Sequence, residues 1–485
     1  MSVSALDGFF IRSPCAMHVC DVEPRKSHSK RKRLIMRGDG RMTEEKVRLG
    51  VDPIYSLKGI HPVQQFIFGL QQAVAMFGAT VLVPLLTGLN VNTTLLMAGL
   101  GTLLFHVITG FKVPVFLGSS FAFIVGYNIV SGGDPTKLPY ASGGIFVAGL
   151  IYCVLALIIK VVGVKRVMRW FPPVVTGPII IGIGLILAPV AFNDIQRPIG
   201  DLPVGLNWLV ALTAIITIIA INIWGKGMLR VIPILVGVIA AYVVALLVSM
   251  VDFSALKATE GVLAIPIYKE NIMKFDVSAI ITIAPIALAT MMEHVGDISA
   301  VSATVGRNFM ADPGLHRTLI GDGLATSMAA VFGGPANTTY SENTGVLALT
   351  RIFAPGVMRI AAGIAIVASL FPHVGSFIRS IPGPAIGGVS CILYGMISAI
   401  GVRNLIENKV DLTKARNLMI VTVVLVSGLG ISMGAAGGII FNIGKATINL
   451  SGLAVAAILG ILLNAILPGK DYEFEDDLPE EAKEE

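Results

Sequence analysis

The feature that most constrains this chain is where its charges are absent. Of 36 Lys and Arg and 30 Asp and Glu in 485 residues, about 30 crowd into residues 1–64 and 469–485, which leaves the ~400 residues between them only about 9% charged. A soluble domain carries nearer one quarter. So long an apolar body belongs in a bilayer, where about 20 residues make one crossing and roughly 14 helices would fit. An ordinary soluble enzyme is excluded.

The net charge of +6 does not mark a nucleic-acid binder. It divides into about +5 in the N-terminal tail, +8 scattered over the body and −7 in the C-terminal tail, with no basic face. Cys15, Cys20, Cys153 and Cys391 show neither metal-ligand spacing nor a dense disulfide pattern, and no cofactor or metal is expected. Residues 1–41 lack the long apolar stretch of a secretory signal. They read as a disordered extension of a tail covering 1–52, with Met42 as the natural first residue. The run Lys30-Arg31-Lys32-Arg33 is either a solvated stretch or an anchor on anionic lipid. The acidic tail, 469–485, reads as a solvated end.

Apolar runs bounded by charges, Gly and Pro place seven spans near 66–88, 92–111, 114–130, 142–163, 173–192, 205–224 and 230–251. An outer connecting loop at 252–277 separates these from seven more near 278–303, 317–332, 336–352, 356–379, 383–402, 417–434 and 449–468. With both termini inside, inner connections hold about 15 Lys and Arg against about 7 outside, as the positive-inside rule requires. An odd number of crossings turns a second copy over, so 53–251 and 278–468 read as inverted seven-span repeats. Phe171-Pro172-Pro173 with Gly177 resembles Ile381-Pro382-Gly383 with Gly387 in the matching span. The third and tenth spans each open on helix breakers, Gly118-Ser119-Ser120 and Gly333-Gly334-Pro335 followed by Asn337-Thr338-Thr339. Broken helices at corresponding places in two repeats point to a central solute site; a purely structural re-entrant loop is the plainer alternative. The fold class expected is therefore an all-α polytopic membrane protein.

Acids inside apolar spans are costly and usually functional. Three qualify: Glu293, Asp297 and Glu342. Glu293 and Asp297 are i and i+4, on one helix face. Two carboxylates so placed repel if both ionise, so the pair reads as a proton-binding site. Neutralisation by neighbouring cations is the plainer alternative, but apolar spans supply almost none. Asp322, near a span end, reads as structural, and His294, about 100° round from Glu293, as a packing residue. Glu342, at the break of the tenth span, suits a ligand rich in N–H donors. Phe121, at the break of the third, offers a flat face to a planar ring, though a lone Phe in such a helix is more often packing.

Four segments, Gln71–Pro84 (QQAVAMFGATVLVP), Val113–Phe123 (VPVFLGSSFAF), Glu293–Asp297 (EHVGD) and Asn337–Arg351 (NTTYSENTGVLALTR), resemble the nucleobase-ascorbate transporter family, most closely its uracil-carrying bacterial branch. The likeness runs over roughly residues 53–470. It implies a core domain from spans 1–4 and 8–11, a gate domain from spans 5–7 and 12–14, and short strands in spans 3 and 10. It also implies a proton-coupled importer of uracil, alternatively of xanthine or another purine, that works by alternating access in a bacterial cytoplasmic membrane, in contact with lipid and often as a homodimer. By position, Glu293 and Glu342 would bind the base's polar edges and Phe121 its ring, while backbone near Ala79 and Ser341 completes the pocket. Glu293, Asp297 and Glu342 would carry proton coupling. Two positions depart from that branch: Gln72 and Asp297 stand where it carries His, so a proton relay through those histidines does not carry over. A lipid-modifying membrane enzyme would need metal-binding acids or an activated nucleophile, which the sequence does not offer. A channel fits buried single acids and two broken helices less well than alternating access does.

Overall fold

The computed structural model describes residues 33–36, 42–45, 52–226, 229–230, 232–434, 438–443 and 446–469, excepting the side chains of 33–36, 42–45, 341–342 and 442–448. In the N-terminal unit, β1 (Arg33–Met36) and β2 (Met42–Glu45) pair antiparallel with Arg33 opposite Glu45. The rest of the long basic extension, and the acidic tail from 470, lie outside the described residues.

The second unit, from Arg48 onward, is mostly helical. Its first half runs α1 (Pro62–Thr87), α2 (Val91–Ile108), β3 (Leu117–Ser119), α3 (Ile124–Ser131), α4 (Leu138–Val162), α5 (Val164–Met168), α6 (Pro173–Gln196), α7 (Val204–Trp224) and α8 (Pro233–Leu247). After the short α9 (Ser254–Lys257) come α10 (Val277–Ile283), α11 (Ile286–Val305), α12 (Leu315–Val331), β4 (Asn337–Thr339), α13 (Ser341–Thr350), α14 (Pro355–Ser369), α15 (Pro372–Arg379), α16 (Gly383–Glu407) and α17 (Ala415–Met433). The chain finishes with β5 (Gly438–Ile443), β6 (Ala446–Ser451) and α18 (Gly452–Ile466).

Local signals set many of these boundaries. Pro62, Pro173, Pro355 and Pro384 each sit in a first turn, where a missing N–H costs nothing. Helix α1 ends at Gly88, whose left-handed φ of 79° lets its N–H return to Pro84 O, and Asn90 then caps α2 by accepting from Thr93 N. Among the described residues, eight helices are long and apolar enough to cross a membrane, and α8 and α18 are shorter apolar helices.

Three expectations about spans need correction. The stretch 356–379 is not one straight crossing: α14 and α15 meet at an 85° bend, because Phe371-Pro372 ends one helix and starts another. The stretch 449–468 begins as strand, and α18 starts only at Gly452. The hairpin of β5 and β6, with Gly438 opposite Ser451, occupies what reads as a plain connection.

Without a hydrophobic force between helices in lipid, close backbone packing through small residues takes over. A Cβ on Gly149 of α4 would sit 2.4 Å from Gly323 O of α12, and one on Gly323 would sit 2.5 Å from Gly149 O. Helices α6 and α16 meet the same way, Gly401 lying against Gly177 O. The packing pairs form a regular set: α2 with α14 and α12 with α4, α1 with α14 and α11 with α4, α7 with α8 and α17 with α18, α6 with α17 and α16 with α7. Helices α7 and α17 keep most of their surface outward, with Ile216, Ile223, Val426 and Met419 exposed, as lipid-facing helices should.

Candidate functional site

The two interrupted segments meet at the centre. Strand β3 pairs antiparallel with β4, Leu117 opposite Thr339 and Ser119 opposite Asn337, and all six residues are buried. Each strand supplies only three residues, so side chains from neighbouring helices satisfy its remaining polar groups, as backbone at membrane depth requires. Thr102 of α2 accepts from Leu117 N (2.9 Å), and Thr326 of α12 donates to Asn337 O (2.8 Å). Ser119 Oγ donates to Thr80 O of α1 (3.0 Å), and Ser120 N donates to Ala336 O (2.8 Å). Asn337 Nδ2 donates to Met97 O at 3.2 Å. Gly118 has no room for a side chain: a Cβ would lie 2.4 Å from the Tyr340 ring.

Past the ladder, both chains turn into short helices, α3 and α13, neither capped by a side chain. Phe121 sits in the first turn-in, buried, 6.3 Å from the Tyr340 ring at 27° and 6.2 Å from the Tyr394 ring of α16 at 80°. Tyr340 donates its hydroxyl to Ser119 O. Buried polar atoms around this junction without a hydrogen-bond partner include Thr80 Oγ1, Ser120 Oγ, Asn337 Oδ1, Thr338 Oγ1, Asn343 Oδ1 and Thr344 Oγ1. Buried polar groups are rarely left so, and a cluster of them is what a polar solute satisfies.

The expected site residues fall as follows. Ala79 is buried on α1 beside Thr80, the residue that receives Ser119. Ser341 and Glu342 open α13 immediately after β4; their side chains lie outside the described residues. Glu293 and Asp297 share α11, Glu293 half-buried and Asp297 buried. Asp297 Oδ2 accepts from Thr339 Oγ1 of β4 at 2.8 Å, which ties the acid to the ladder. Gln72, on α1, accepts from Asn343 Nδ2 of α13 at 2.7 Å, both side chains buried.

Two residues read as structural prove to be partners. His294 Nδ1 lies 3.0 Å from Asp322 Oδ2, both side chains fully buried. Sequence reasoning gave no role to Thr339, Tyr340 or Tyr394. The first two lie inside the quoted motif, whereas Tyr394 carried no signal in an apolar run. A cavity of about 460 Å³ opens between α1, α13, the start of α8 and α16, bounded by Ala75, Gly345, Pro233 and Met396.

The family model Xan_ur_permease, described as Permease family, matches residues 63–437. The uracil permease of Bacillus caldolyticus is 41% identical over 430 residues, covering 87% of this chain and 97% of that one. The uracil permease of Bacillus subtilis (strain 168) is 39% identical over 445 residues, covering 90% and 98%. Among solved structures, the transmembrane domain of the cyanobacterium bicarbonate transporter BicA superposes with a TM-score of 0.57 at 13% identity, covering 85% of this chain and 99% of that one. The murine Solute Carrier 26 family member A9 anion transporter in the inward-facing state gives 0.57 at 12%, covering 85% and 69%. At such identities these two share the fold alone. With a family model over most of the chain and relatives near 40% identity along almost their whole length, the chain belongs to this permease family, the nucleobase-ascorbate transporters, and is a multi-pass membrane transporter rather than an enzyme.

Proposed function

We propose that this protein is a proton-coupled uracil importer of the bacterial cytoplasmic membrane, with both termini inside, working by alternating access. The observation that carries the reading is the β3–β4 junction, where an aromatic ring, Phe121, stands among unpartnered buried hydroxyls and amides, and Asp297 of α11 is bonded to the ladder. A flat ring that both donates and accepts hydrogen bonds satisfies such a place. The relatives named uracil permease support uracil as that ring.

In this reading Glu293 and Glu342 accept from the base's N–H groups, Phe121 covers its face, and backbone at Ala79 and Ser341 completes the contacts. Protonation of Glu293, Asp297 and Glu342 couples transport to the gradient. The body is a 7+7 inverted repeat, and the packing pairs support it: exchanging each helix for its counterpart, α1 for α11, α2 for α12, α4 for α14 and so on, returns the same set. Elements α1–α4 and α10–α15 form the core that carries the base, and α6–α8 with α16–α18 form the gate against which it moves, in a homodimer. The cavity between α1, α8, α13 and α16 supports a route for the base between core and gate.

Uptake of labelled uracil in a strain without other nucleobase permeases tests this. Collapse of the proton gradient abolishes uptake, unlabelled uracil competes better than xanthine, and Glu293→Gln removes transport at equal membrane abundance. Uptake indifferent to the gradient overturns the coupling; normal uptake by Glu293→Gln overturns the site.

A further inference from the structure

The elements assigned above to core and gate stand apart at one end of the molecule and meet at the other. The cavity of about 460 Å³ separates α1 and α13 from the start of α8, where Ile232 and Pro233 line it. Helix α8 runs on from there, and nine residues beyond Pro233, roughly 13 Å along the axis, it brings Tyr242 to α15. At that far end β6 also lies along α10, so gate and core touch there a second time.

Helix α15 is held from both sides. Towards the core, its Val374 and Ile378 pack with Val81, Val91 and Leu95 of α1 and α2. Asn92 of α2, itself buried, donates through Nδ2 to Ser369 O and Phe371 O, each at 2.8 Å, which ties the 85° bend between α14 and α15 to the core. Towards the gate, Ser380 donates its hydroxyl to Phe377 O at 2.7 Å. A hydroxyl has one proton to give, so in the 2.8 Å contact between Ser380 and Tyr242 the phenol is the donor. The Phe377 and Tyr242 rings stand 5.5 Å apart at 64°, an edge-on pair. Beyond Ser380 the chain passes through Ile381-Pro382 into α16 of the gate.

If this end is to open, α15 must part from one neighbour. Its hold on the core is apolar, buried and reinforced at two carbonyls; its hold on the gate is one neutral hydrogen bond and a ring edge, with Tyr242 half-buried and Phe377 exposed. The gate side is the weaker attachment and gives first. We propose that Tyr242, through Ser380 and Phe377, is a latch that closes core on gate at the α15 end and so biases the carrier towards the form open at the cavity. The inference rests on the reading of alternating access between core and gate. Tyr242 lies outside the base site; it sets how often the far end opens.

The test uses the full-length chain with its four cysteines replaced by alanine and uptake retained. Ala348→Cys reports on the cavity. Ser390→Cys reports on the far end, because Ser390 is buried one turn ahead of Tyr394, on the face of α16 that meets Phe121. A charged maleimide that cannot cross the bilayer is applied to either face of sealed vesicles. Ala348→Cys reacts quickly from one face and Ser390→Cys slowly from the other. Tyr242→Phe keeps the ring pair and deletes the hydroxyl; Ser390→Cys then reacts about 2–12-fold faster, the worth of one neutral hydrogen bond, while Ala348→Cys reacts no faster. Ser380→Ala gives a similar gain, and the double variant gives no more than Tyr242→Phe alone, since both changes remove one contact. An unchanged Ser390→Cys rate in Tyr242→Phe, gains that add in the double variant, or faster reaction at both cysteines overturns the latch. Ser390→Cys that reacts in no variant from the face opposite to that of Ala348→Cys sinks the alternating-access reading beneath it. Reaction from opposite faces at rates Tyr242→Phe does not move sinks the latch alone.

Discussion

Replacing Thr339 by Val is the sharpest test of how the ladder and the acid are coupled. Valine keeps the shape of threonine and the β-branching that suits a strand, so the change deletes one donor and little else. The bond it removes, Thr339 Oγ1 to Asp297 Oδ2 at 2.8 Å, is buried at both ends. A hydrogen bond to an ionised group is worth about 1.5–3 kcal/mol and one to a neutral group about 0.5–1.5. At 1.4 kcal/mol per tenfold these become roughly 10–150-fold and 2–12-fold. Uracil uptake per molecule in the membrane, with Thr339→Ser as the control that keeps the hydroxyl, therefore falls by at least tenfold if Asp297 is ionised in the state that binds base, and by only a few-fold if it is protonated. The size of the defect reports the acid's charge. Identical uptake by the Val, Ser and wild-type proteins would refute the coupling altogether.

Other perturbations follow the same logic. Gln72→Leu strands the buried Asn343 amide, at a cost of about 1–3 kcal/mol, and uptake falls roughly tenfold; Gln72→His retains an acceptor and most of the activity, and equal uptake by the two would show the bond idle. Gly149→Ala places a methyl 2.4 Å from Gly323 O, forcing α4 and α12 apart at a cost of about 1–3 kcal/mol; a lower melting temperature in detergent checks it. Starting the chain at Met42 leaves uptake unchanged. Removing residues through Leu57 takes away Ile54, which pairs with Arg351 O and Phe353 N just beyond α13, and uptake falls at equal expression.

Much of this was legible because the membrane simplifies the reading of a sequence. Charge exclusion marks spans, and Gly118 and Gly333-Gly334-Pro335 mark breaks, since so few residues tolerate non-helical backbone there. What escaped depended on partners distant in the chain. Nothing local to Asp322 says that His294, on the preceding helix, will meet it, and nothing local to Tyr394 says that Phe121 will lie against its edge. Pairing Glu293 with Asp297 by helical spacing placed both acids on one side of α11, but spacing could not see that Thr339 would claim Asp297. The bend at Phe371-Pro372 was readable from its proline, and strand β6 from the alternation of Thr447, Asn449 and Ser451 with Ile448 and Leu450; length and apolarity outweighed both signals.

The β3–β4 ladder also orders the protein's assembly. Its paired residues, such as Ser119 and Asn337, lie about 220 residues apart in the chain, so neither half of the chain holds the finished ladder. While the ribosome is still making the second half, β3 would present an unpaired edge inside the bilayer, where each unsatisfied backbone group costs several kcal/mol. The first half must therefore shelter that edge, in the translocon or against its own helices, until Asn337–Thr339 arrives. Pairing of the ladder therefore waits on a segment of the second half, and until Asn337–Thr339 is in place neither strand has its partner.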